Sequence, residues 1–235
     1  MRAALGSLRP ARQTWRSAAL HRSVAVSAEL IDFSKADDGF PRGTVAVLPE
    51  FITAAEEASL IAELEPRLHA RPVEETHADK VITGYRELEV KPGGWEGGGG
   101  SVGAAVVARA EAAMQALAAP AGHWGMRLPE VHVLELAADG EIDPHVENTS
   151  FLGDALGGIS LVSSCVMRLQ EGDGHENVGA STVDLLLPPR SLYVMFGDAR
   201  YKYTHEIRHE SQLWAGERVP RERRISLILR TIDPW

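Results

Sequence analysis

Beyond Pro129, the chain changes from helical patterns to a series of short segments that favour β-strands. These segments are rich in branched and aromatic residues, and Gly, Pro or Asp separates them. The six predicted strands are residues 131–136, 158–169, 182–187, 191–196, 203–207 and 225–231. Short strands with turn residues between them are typical of antiparallel sandwiches and barrels. We therefore predict a mainly β fold with flanking helices, namely a double-stranded β-helix (a cupin-like jelly roll).

A short strand at residues 44–48 and two amphipathic helices are expected before these strands. Thr53 and Glu56 form a capping box, which predicts the start of the first helix. Pro66 interrupts the same pattern and predicts a kink or a restart. Ser101 is placed to cap the second helix. The stripes expected to be buried are Leu60, Ile61, Leu64 and Leu68 in the first helix and Val102, Val106, Ala113 and Leu117 in the second.

The first 28 residues have the composition of an organelle transit peptide. They contain five arginines and no acidic residue, and Ala, Ser and Leu fill most of the other positions. This composition predicts import into the mitochondrial matrix, with plastids as an alternative; a basic arm that binds nucleic acid or lipid is a second interpretation. We assign residues 1–28 to the transit peptide, 29–43 to a polar linker and 44–235 to one folded domain.

Charge and cysteine content restrict the partners and the compartment. The chain carries 24 basic and 33 acidic residues, and its net charge is −9. Without the N-terminal arginines the folded part is more acidic still, which disfavours phosphate backbones except at a local patch. Cys165 is the single cysteine, so no intrachain disulfide forms, and its apolar surroundings predict a buried thiol. We expect a monomer, and no run of about 18 apolar residues indicates a membrane span.

Two histidines and one glutamate have the spacing of a metal site. His145 and Glu147 are two positions apart, so in an extended segment their side chains point to the same side. They follow a predicted strand, the turn residues Asp139 and Gly140, and Pro144. This order places them at the mouth of a barrel. His205, on another predicted strand, can join them by cross-barrel pairing. Such a set occupies one face of Fe(II) and leaves the opposite face open.

Two alternatives to this metal site remain. His145 and His205 can be ordinary half-buried histidines. His77 and Asp79 also form a His-x-Asp pair, but they lie in a polar stretch without a preceding buried strand. His132 is expected to be a strand residue that faces polar neighbours.

The last predicted strand carries a candidate site for an acidic co-substrate. Arg224, Ser226, Ile228 and Arg230 alternate with apolar residues, so they share one face of the strand. The apolar face belongs to the core, and the arginines therefore face an interior cavity or solvent. A guanidinium inside a barrel needs a carboxylate partner, which a dicarboxylic acid can provide. Tyr193 can donate its hydroxyl to the same carboxylate.

Residues 48–230 resemble the AlkB-like Fe(II)/2-oxoglutarate-dependent dioxygenases. The stretches that carry the resemblance are residues 131–136, 144–147, 163–169, 191–194, 199–207 and 224–230. The chain looks most like a mitochondrial branch of this family that is linked to programmed necrosis and fatty-acid metabolism. The resemblance implies Fe(II) as the metal, 2-oxoglutarate and O2 as co-substrates, and succinate and CO2 as products.

The resemblance also implies a role for each candidate residue. His145, Glu147 and His205 would bind iron and carry the catalysis, and Tyr193, Arg224 and Arg230 would bind 2-oxoglutarate or brace its site. The family usually has aspartate where Glu147 stands. This longer side chain leaves open a catalytically weak module that binds partners and acts in cell-death regulation. A zinc hydrolase is a further alternative.

The sequence separates the substrate classes only in part. Residues 73–100, which precede the barrel, carry six acidic and three basic residues. This balance makes duplex DNA an unlikely substrate. Tyr85 and Trp95 can stack on a flipped base, although aromatic residues beside glycines more often anchor a loop. We expect hydroxylation of a protein or a small molecule in mitochondria, with mitochondrial RNA N-demethylation as the alternative.

Overall fold

The computed structural model describes residues 26–77, 80–172 and 177–232. Within these ranges the strands are β1 Ile31–Asp32, β2 Val45–Leu48, β3 Glu74–Thr76, β4 Ile82–Val90, β5 Met126–Arg127, β6 Val131–His145, β7 Leu152–Leu161, β8 Cys165–Gly172, β9 Asn177–Leu187, β10 Leu192–Phe196, β11 Tyr203–Ile207, β12 Gln212–Trp214, β13 Glu217–Val219 and β14 Arg224–Ile232. The α-helices are α1 Ala54–His69, α2 Val102–Ala118 and α3 Asp198–Tyr201. Short 3-10 helices occur at Ala28–Leu30, Arg42–Thr44, Gly98–Gly100 and Ala119–Ala121.

One large antiparallel sheet curls on itself and confirms the predicted jelly roll. Its strand order is β1-β9-β8-β11-β6-β14-β7-β10-β2, and β4 and β5 extend it from β6 and β14. The first part of β6 pairs with β14 and β4, whereas its last residues pair with β11. Because β6 belongs to both layers, its C-terminal end lies where the two layers meet.

Alternate residues of the strands supply two separate cores. Ile225, Leu227 and Leu229 of β14 are fully buried in a first core that includes the apolar faces of α1 and α2. Tyr193 of β10 and the partly buried Ile228 belong to a second core between the layers. The two-residue period of each strand therefore separates a helix-braced outer face from an inner face that surrounds a cavity.

Helix α1 has the predicted cap and does not restart at Pro66. The capping box between Thr53 and Glu56 is present, and Leu60, Leu64 and Leu68 are fully buried while Ile61 is only partly buried. The helix continues through Pro66, which lies in its last turns on the exposed side. Ala62, whose carbonyl loses its hydrogen-bond donor at Pro66, is also an exposed residue. The cost of the proline is therefore reduced.

The buried stripe of α2 differs in part from the predicted one. Ser101 caps the helix, and Val106 and Ala113 are buried as expected, but Val102 is 40% exposed. A Cβ atom at Gly103 would lie 2.1 Å from the Trp95 ring, so the glycine lets this ring pack against the helix. The buried set is Gly103, Val106, Val107, Ala110, Ala113, Met114 and Ala118. The segment Val102–Ala121 is long and apolar enough to span a membrane, but the buried residues of α2 pack into the protein core.

The strand prediction was wrong at two boundaries and missed strand β4. Residues 158–169 form two strands, β7 and β8, because the chain turns at Val162, which has a φ of 77°. Strand β6 continues through Gly140 instead of turning there, and Gly140 packs directly against Gly84 of β4. Strand β4 was not predicted, because charged residues lie on both of its faces and hide the alternation of apolar residues.

The segment 29–43, predicted as a linker, packs against the domain. Strand β1 pairs with β9, Ile31 and Phe40 are buried, and the Phe40 ring contacts the Tyr203 ring edge-on at 4.7 Å. The segment is therefore part of the folded unit. The predicted transit peptide lies almost entirely outside the described residues, which begin at residue 26. The Cys165 thiol is fully buried, as predicted.

Candidate metal and co-substrate site

The three predicted ligand residues converge at the end of β6. His145 is the last residue of this strand and pairs directly with His205 of β11, so that their ring centroids are 4.2 Å apart. Glu147 follows two residues later. One ligand atom from each of the three side chains lies within 4.8 Å of the other two. In the part of the chain that the structure describes, no other group of His, Cys, Asp or Glu has this geometry.

Both histidines can offer an imidazole lone pair to a metal ion. The Nδ1 atom of His145 lies 2.9 Å from the carbonyl oxygen of Asp143. Because a carbonyl only accepts, Nδ1 carries a proton, and Nε2 of the neutral ring has the free lone pair. Burial of His205, together with the nearby His145, lowers the pKa of His205 to about 3. It is therefore neutral at physiological pH, as a metal ligand must be.

Glu147 supplies the negative charge of the site. Burial opposes its ionisation and is the largest single influence, but the charge and hydrogen bond of Arg230, together with His205 and His145, outweigh it and lower the pKa of Glu147 to about 2. Nη2 of Arg230 donates to Oε1 of Glu147 at 3.0 Å. Two imidazole nitrogens and one carboxylate fit a divalent first-row metal with open coordination positions.

Arg200 holds the backbone that follows the metal site. Its side chain is 1% exposed and donates to the carbonyl oxygens of Glu147, Asn148 and Leu152 at 3.1, 2.7 and 3.5 Å. The guanidinium also lies 4.6 Å from the centroid of the Tyr201 ring. These bonds fix the loop that carries Glu147. This role was not predicted from the sequence, although an arginine shortly after the apolar strand β10 was an available signal.

A cavity beside the three ligand residues contains the predicted co-substrate residues. Arg224 is 2% exposed and donates from Nη2 to the hydroxyl of Ser160 at 3.1 Å. Its Nε atom has no hydrogen-bond partner among the described residues, and neither has Nε of Arg230. The cavity walls also include Tyr193, Ser226 and Ile228. A buried guanidinium without an anionic partner is costly, so this cavity fits a carboxylate ligand.

The phenol of Tyr193 reaches this cavity because its neighbour is a glycine. A Cβ atom at Gly158, which pairs with Tyr193, would lie 2.4 Å from Cε1 of the ring and 2.9 Å from the hydroxyl. Burial raises the pKa of Tyr193 to about 12, so the hydroxyl keeps its proton and can donate it to a carboxylate. The role of Gly158 was not predicted from the sequence.

A large cleft opens from the metal site to solvent. Its volume is about 1130 Å³, and its walls come from β4, from β6 and from the loop that follows Glu147. His77 lies on the far wall, 3.9 Å from Glu87, whereas its predicted partner Asp79 lies outside the described residues. His132 also lines the cleft and lies between Glu87 and Arg230.

The three arginines at positions 221, 223 and 224 lie in different environments. Arg224 is buried, but the neighbouring arginines do not form a purely solvated cluster. Arg223 bridges Glu65 and Glu135 at 2.7 and 3.0 Å. Arg221 donates to the carbonyl oxygen of Gly140 at 3.0 Å. The burial of Glu135 explains the contact with Arg223, because a buried polar side chain on the helix side of the sheet needs partners.

Comparisons with known proteins agree with this geometry. The chain matches the 2OG-Fe(II) oxygenase superfamily over residues 44–230. It is 40% identical over 187 residues to the mitochondrial alpha-ketoglutarate-dependent dioxygenase alkB homolog 7 of Bos taurus, covering 79% of this chain and 77% of the relative. It is 38% identical to the protein of the same name from Mus musculus, with 81% and 80% covered.

A solved structure supports the fold. The structure of OsALKBH1 superposes with a TM-score of 0.57 at 11% identity, covering 80% of this chain and 98% of that chain. At this identity the likeness bears on the fold alone. The match to the superfamily and the two similar relatives establish the family. The chain belongs to the AlkB-like group of the 2OG-Fe(II) oxygenase superfamily, whose dioxygenases use Fe(II), 2-oxoglutarate and O2.

Proposed function

We propose that this protein hydroxylates a protein side chain or a small molecule in mitochondria, with His145, Glu147 and His205 as the iron ligands. The observation that carries this proposal is the buried Arg224 guanidinium, which has no carboxylate partner among the described residues and lies beside these three side chains. A hydrolytic zinc site has no need of a second, buried anion-binding cavity. A dicarboxylic co-substrate does need one.

The chain divides the chemistry between a few groups. When bound, Fe(II) supplies the activation of O2 that is coupled to conversion of 2-oxoglutarate into succinate and CO2. Arg224 and Tyr193 would bind the carboxylate of 2-oxoglutarate that is remote from the metal. Arg230 would brace the site by holding Glu147. Because His205 is buried, water has little access to the side of the metal site that faces the barrel interior.

The walls of the cleft favour a protein side chain over a nucleobase. Trp95 and Tyr85, the two candidates for stacking on a base, are both buried in the cores. Among the described residues of the cleft, Tyr201 is the only Tyr, Trp or Phe, and its ring already contacts Arg200. Enzymes that flip bases commonly stack them on such aromatic rings. At about 1130 Å³, the cleft is also larger than the usual pocket for a small molecule.

We also propose that the N-terminal arginines direct the chain to the mitochondrial matrix. The support is the composition of residues 1–28 and the mitochondrial naming of the two relatives. Residues 1–28 fused to a fluorescent protein should enter mitochondria, and replacing the five arginines with glutamine should keep the fusion in the cytosol. Import of the unchanged fusion into plastids instead would contradict this assignment.

The activity is tested by succinate formation from 2-oxoglutarate with Fe(II) and ascorbate. We expect turnover that increases when proteins from a mitochondrial extract are added, together with a gain of 16 Da on a peptide. His205→Ala should abolish both iron retention and succinate release. His209→Ala is the matched control, because His209 lies outside the site and pairs with Glu141.

The outcomes separate the alternatives. Formaldehyde release from methylated RNA, without any protein hydroxylation, would favour RNA N-demethylation. Iron binding without succinate would indicate a partner-binding module with little catalysis. Unchanged turnover in His205→Ala would show that the ligand assignment is wrong.

A further inference from the structure

A chain of three hydrogen bonds connects strand β4 to the metal site. Arg230 donates from Nη2 to Oε1 of Glu147 at 3.0 Å and from Nη1 to Nδ1 of His132 at 3.1 Å. Arginine only donates, so Nδ1 of His132 must accept, and the imidazole proton is on Nε2. Nε2 faces Oε2 of Glu87 at 2.8 Å and can donate to it. A single tautomer of His132 therefore satisfies every contact in the chain.

The sheet fixes the backbones of these residues. Glu87 and His132 lie on the inner faces of the neighbouring strands β4 and β6, and β14 on the other side of β6 carries Arg230. Their side chains are 29%, 17% and 19% exposed, so the hydrogen bonds are only partly open to water. The hydrogen bond from His132 lowers the pKa of Glu87, which keeps this carboxylate ionised as an acceptor.

Glu147 needs such a constraint because of its length. A glutamate carries its carboxylate on one more rotatable bond than an aspartate, and ordering that bond costs entropy. Arg230 contacts Oε1 and so leaves Oε2 for a metal. The arginine side chain is itself flexible, and it can hold Glu147 only if its other nitrogen is fixed. His132, backed by Glu87, provides this second attachment.

We propose that Glu87 and His132 are positioning residues that fix Arg230 on one oxygen of Glu147 and thereby allow a glutamate to serve as the third metal ligand. This inference rests on the ligand assignment in the proposed function. It predicts that the two residues matter for metal affinity although neither touches the metal. It also predicts that they matter much less when the side chain at position 147 is shorter.

The test is a cycle of variants with Mn(II) as the probe and binding measured by electron paramagnetic resonance, without turnover. His132→Leu should weaken Mn(II) binding about tenfold, since partners behind metal ligands are typically worth 10- to 100-fold in affinity. In the Glu147→Asp background the same change should cost less than about twofold, because the shorter carboxylate draws away from Arg230. Thermal melts establish that each variant is folded.

A milder variant and a matched control accompany this cycle. Glu87→Gln keeps the shape of the side chain but removes its charge, and it should weaken Mn(II) binding about threefold; it serves alone if His132→Leu does not fold. His209→Leu is the control, because His209 also pairs with a glutamate, Glu141, but lies outside this chain of bonds. Its Mn(II) affinity should equal that of the wild type.

The proposal and the proposed function fail in different ways. Unchanged Mn(II) affinity in His132→Leu, or an equal loss in the wild-type and Glu147→Asp backgrounds, would overturn the positioning role. Normal Mn(II) affinity in the wild type without any succinate formation would instead count against the oxygenase activity alone. A loss of affinity confined to the wild-type background would support the positioning role in either case.

Discussion

The two faces of strand β14 have the same backbone but opposite chemistry. On the outer face, Ile225, Leu227 and Leu229 have no solvent exposure and pack into the core braced by the helices. On the inner face, Arg224 and Arg230 surround a cavity, and each has a buried Nε without a hydrogen-bond partner among the described residues. The outer face is therefore satisfied without a ligand, whereas the inner face is not.

This difference shows how one strand can serve both stability and function. Buried apolar groups contribute to the free energy of folding in every state of the protein. A buried guanidinium without an anion reduces it, and this cost is recovered only when a ligand binds. Substitutions on the outer face should thus change stability, and substitutions on the inner face should change ligand affinity.

The largest effect is expected from Arg224→Gln on the inner face. Removal of the guanidinium should raise KM for 2-oxoglutarate about a thousandfold, or about 4 kcal/mol, as for the loss of one partner of a buried ion pair. The melting temperature without ligand should not fall. Arg223→Gln is the matched control, since Arg223 bridges two glutamates instead. A similar rise of KM in both variants would contradict the assignment of the two faces.

Leu227→Ala tests the outer face. Loss of this fully buried side chain should lower the free energy of unfolding by about 3 kcal/mol, measured by urea denaturation. KM for 2-oxoglutarate of the folded protein should remain unchanged. Leu213→Ala should alter neither quantity, because Leu213 is 70% exposed. A rise of KM for 2-oxoglutarate in folded Leu227→Ala would contradict the division of stability and ligand binding between the two faces.

Gly158→Ala tests the inner face on strand β7, which lies beside β14. The added methyl group would overlap the Tyr193 ring and displace its hydroxyl from the cavity. We expect KM for 2-oxoglutarate to rise about tenfold, or about 1.4 kcal/mol. Gly43→Ala is the control, because a Cβ there would meet nothing within 4 Å. Tight binding of 2-oxoglutarate to Gly158→Ala would argue against a role for the Tyr193 hydroxyl.

The smallest effect is expected at the helix that supports the outer face. Thr53→Ala removes the capping box of α1 and should lower the free energy of unfolding by about 1 kcal/mol. Thr53→Ser keeps the hydroxyl and should restore most of this loss. Turnover at saturating 2-oxoglutarate should be the same in all three proteins. A change in KM for 2-oxoglutarate would mean that the two faces are coupled through the helix.

Local patterns were sufficient for much of this molecule. The alternation along β14 predicted which residues face inward, and the capping box predicted the start of α1. The pattern failed for β4, because the partners of this strand, not its own residues, decide which of its charged side chains are covered. His132 is a similar case, since the two residues that give it a role are 45 and 98 positions away in the sequence.

The sequence by itself determined the chemical inventory: two imidazoles, a carboxylate, a phenol and two guanidiniums, all but the carboxylate on strands whose alternation points them inward. These features depend on residue type and on a period of two, both of which are local. The tertiary structure decided that His205 pairs with His145, that Gly158 makes room for Tyr193 and that Arg200 holds the loop after Glu147. These contacts join segments far apart in the chain, and they exist only once strand register and packing are set.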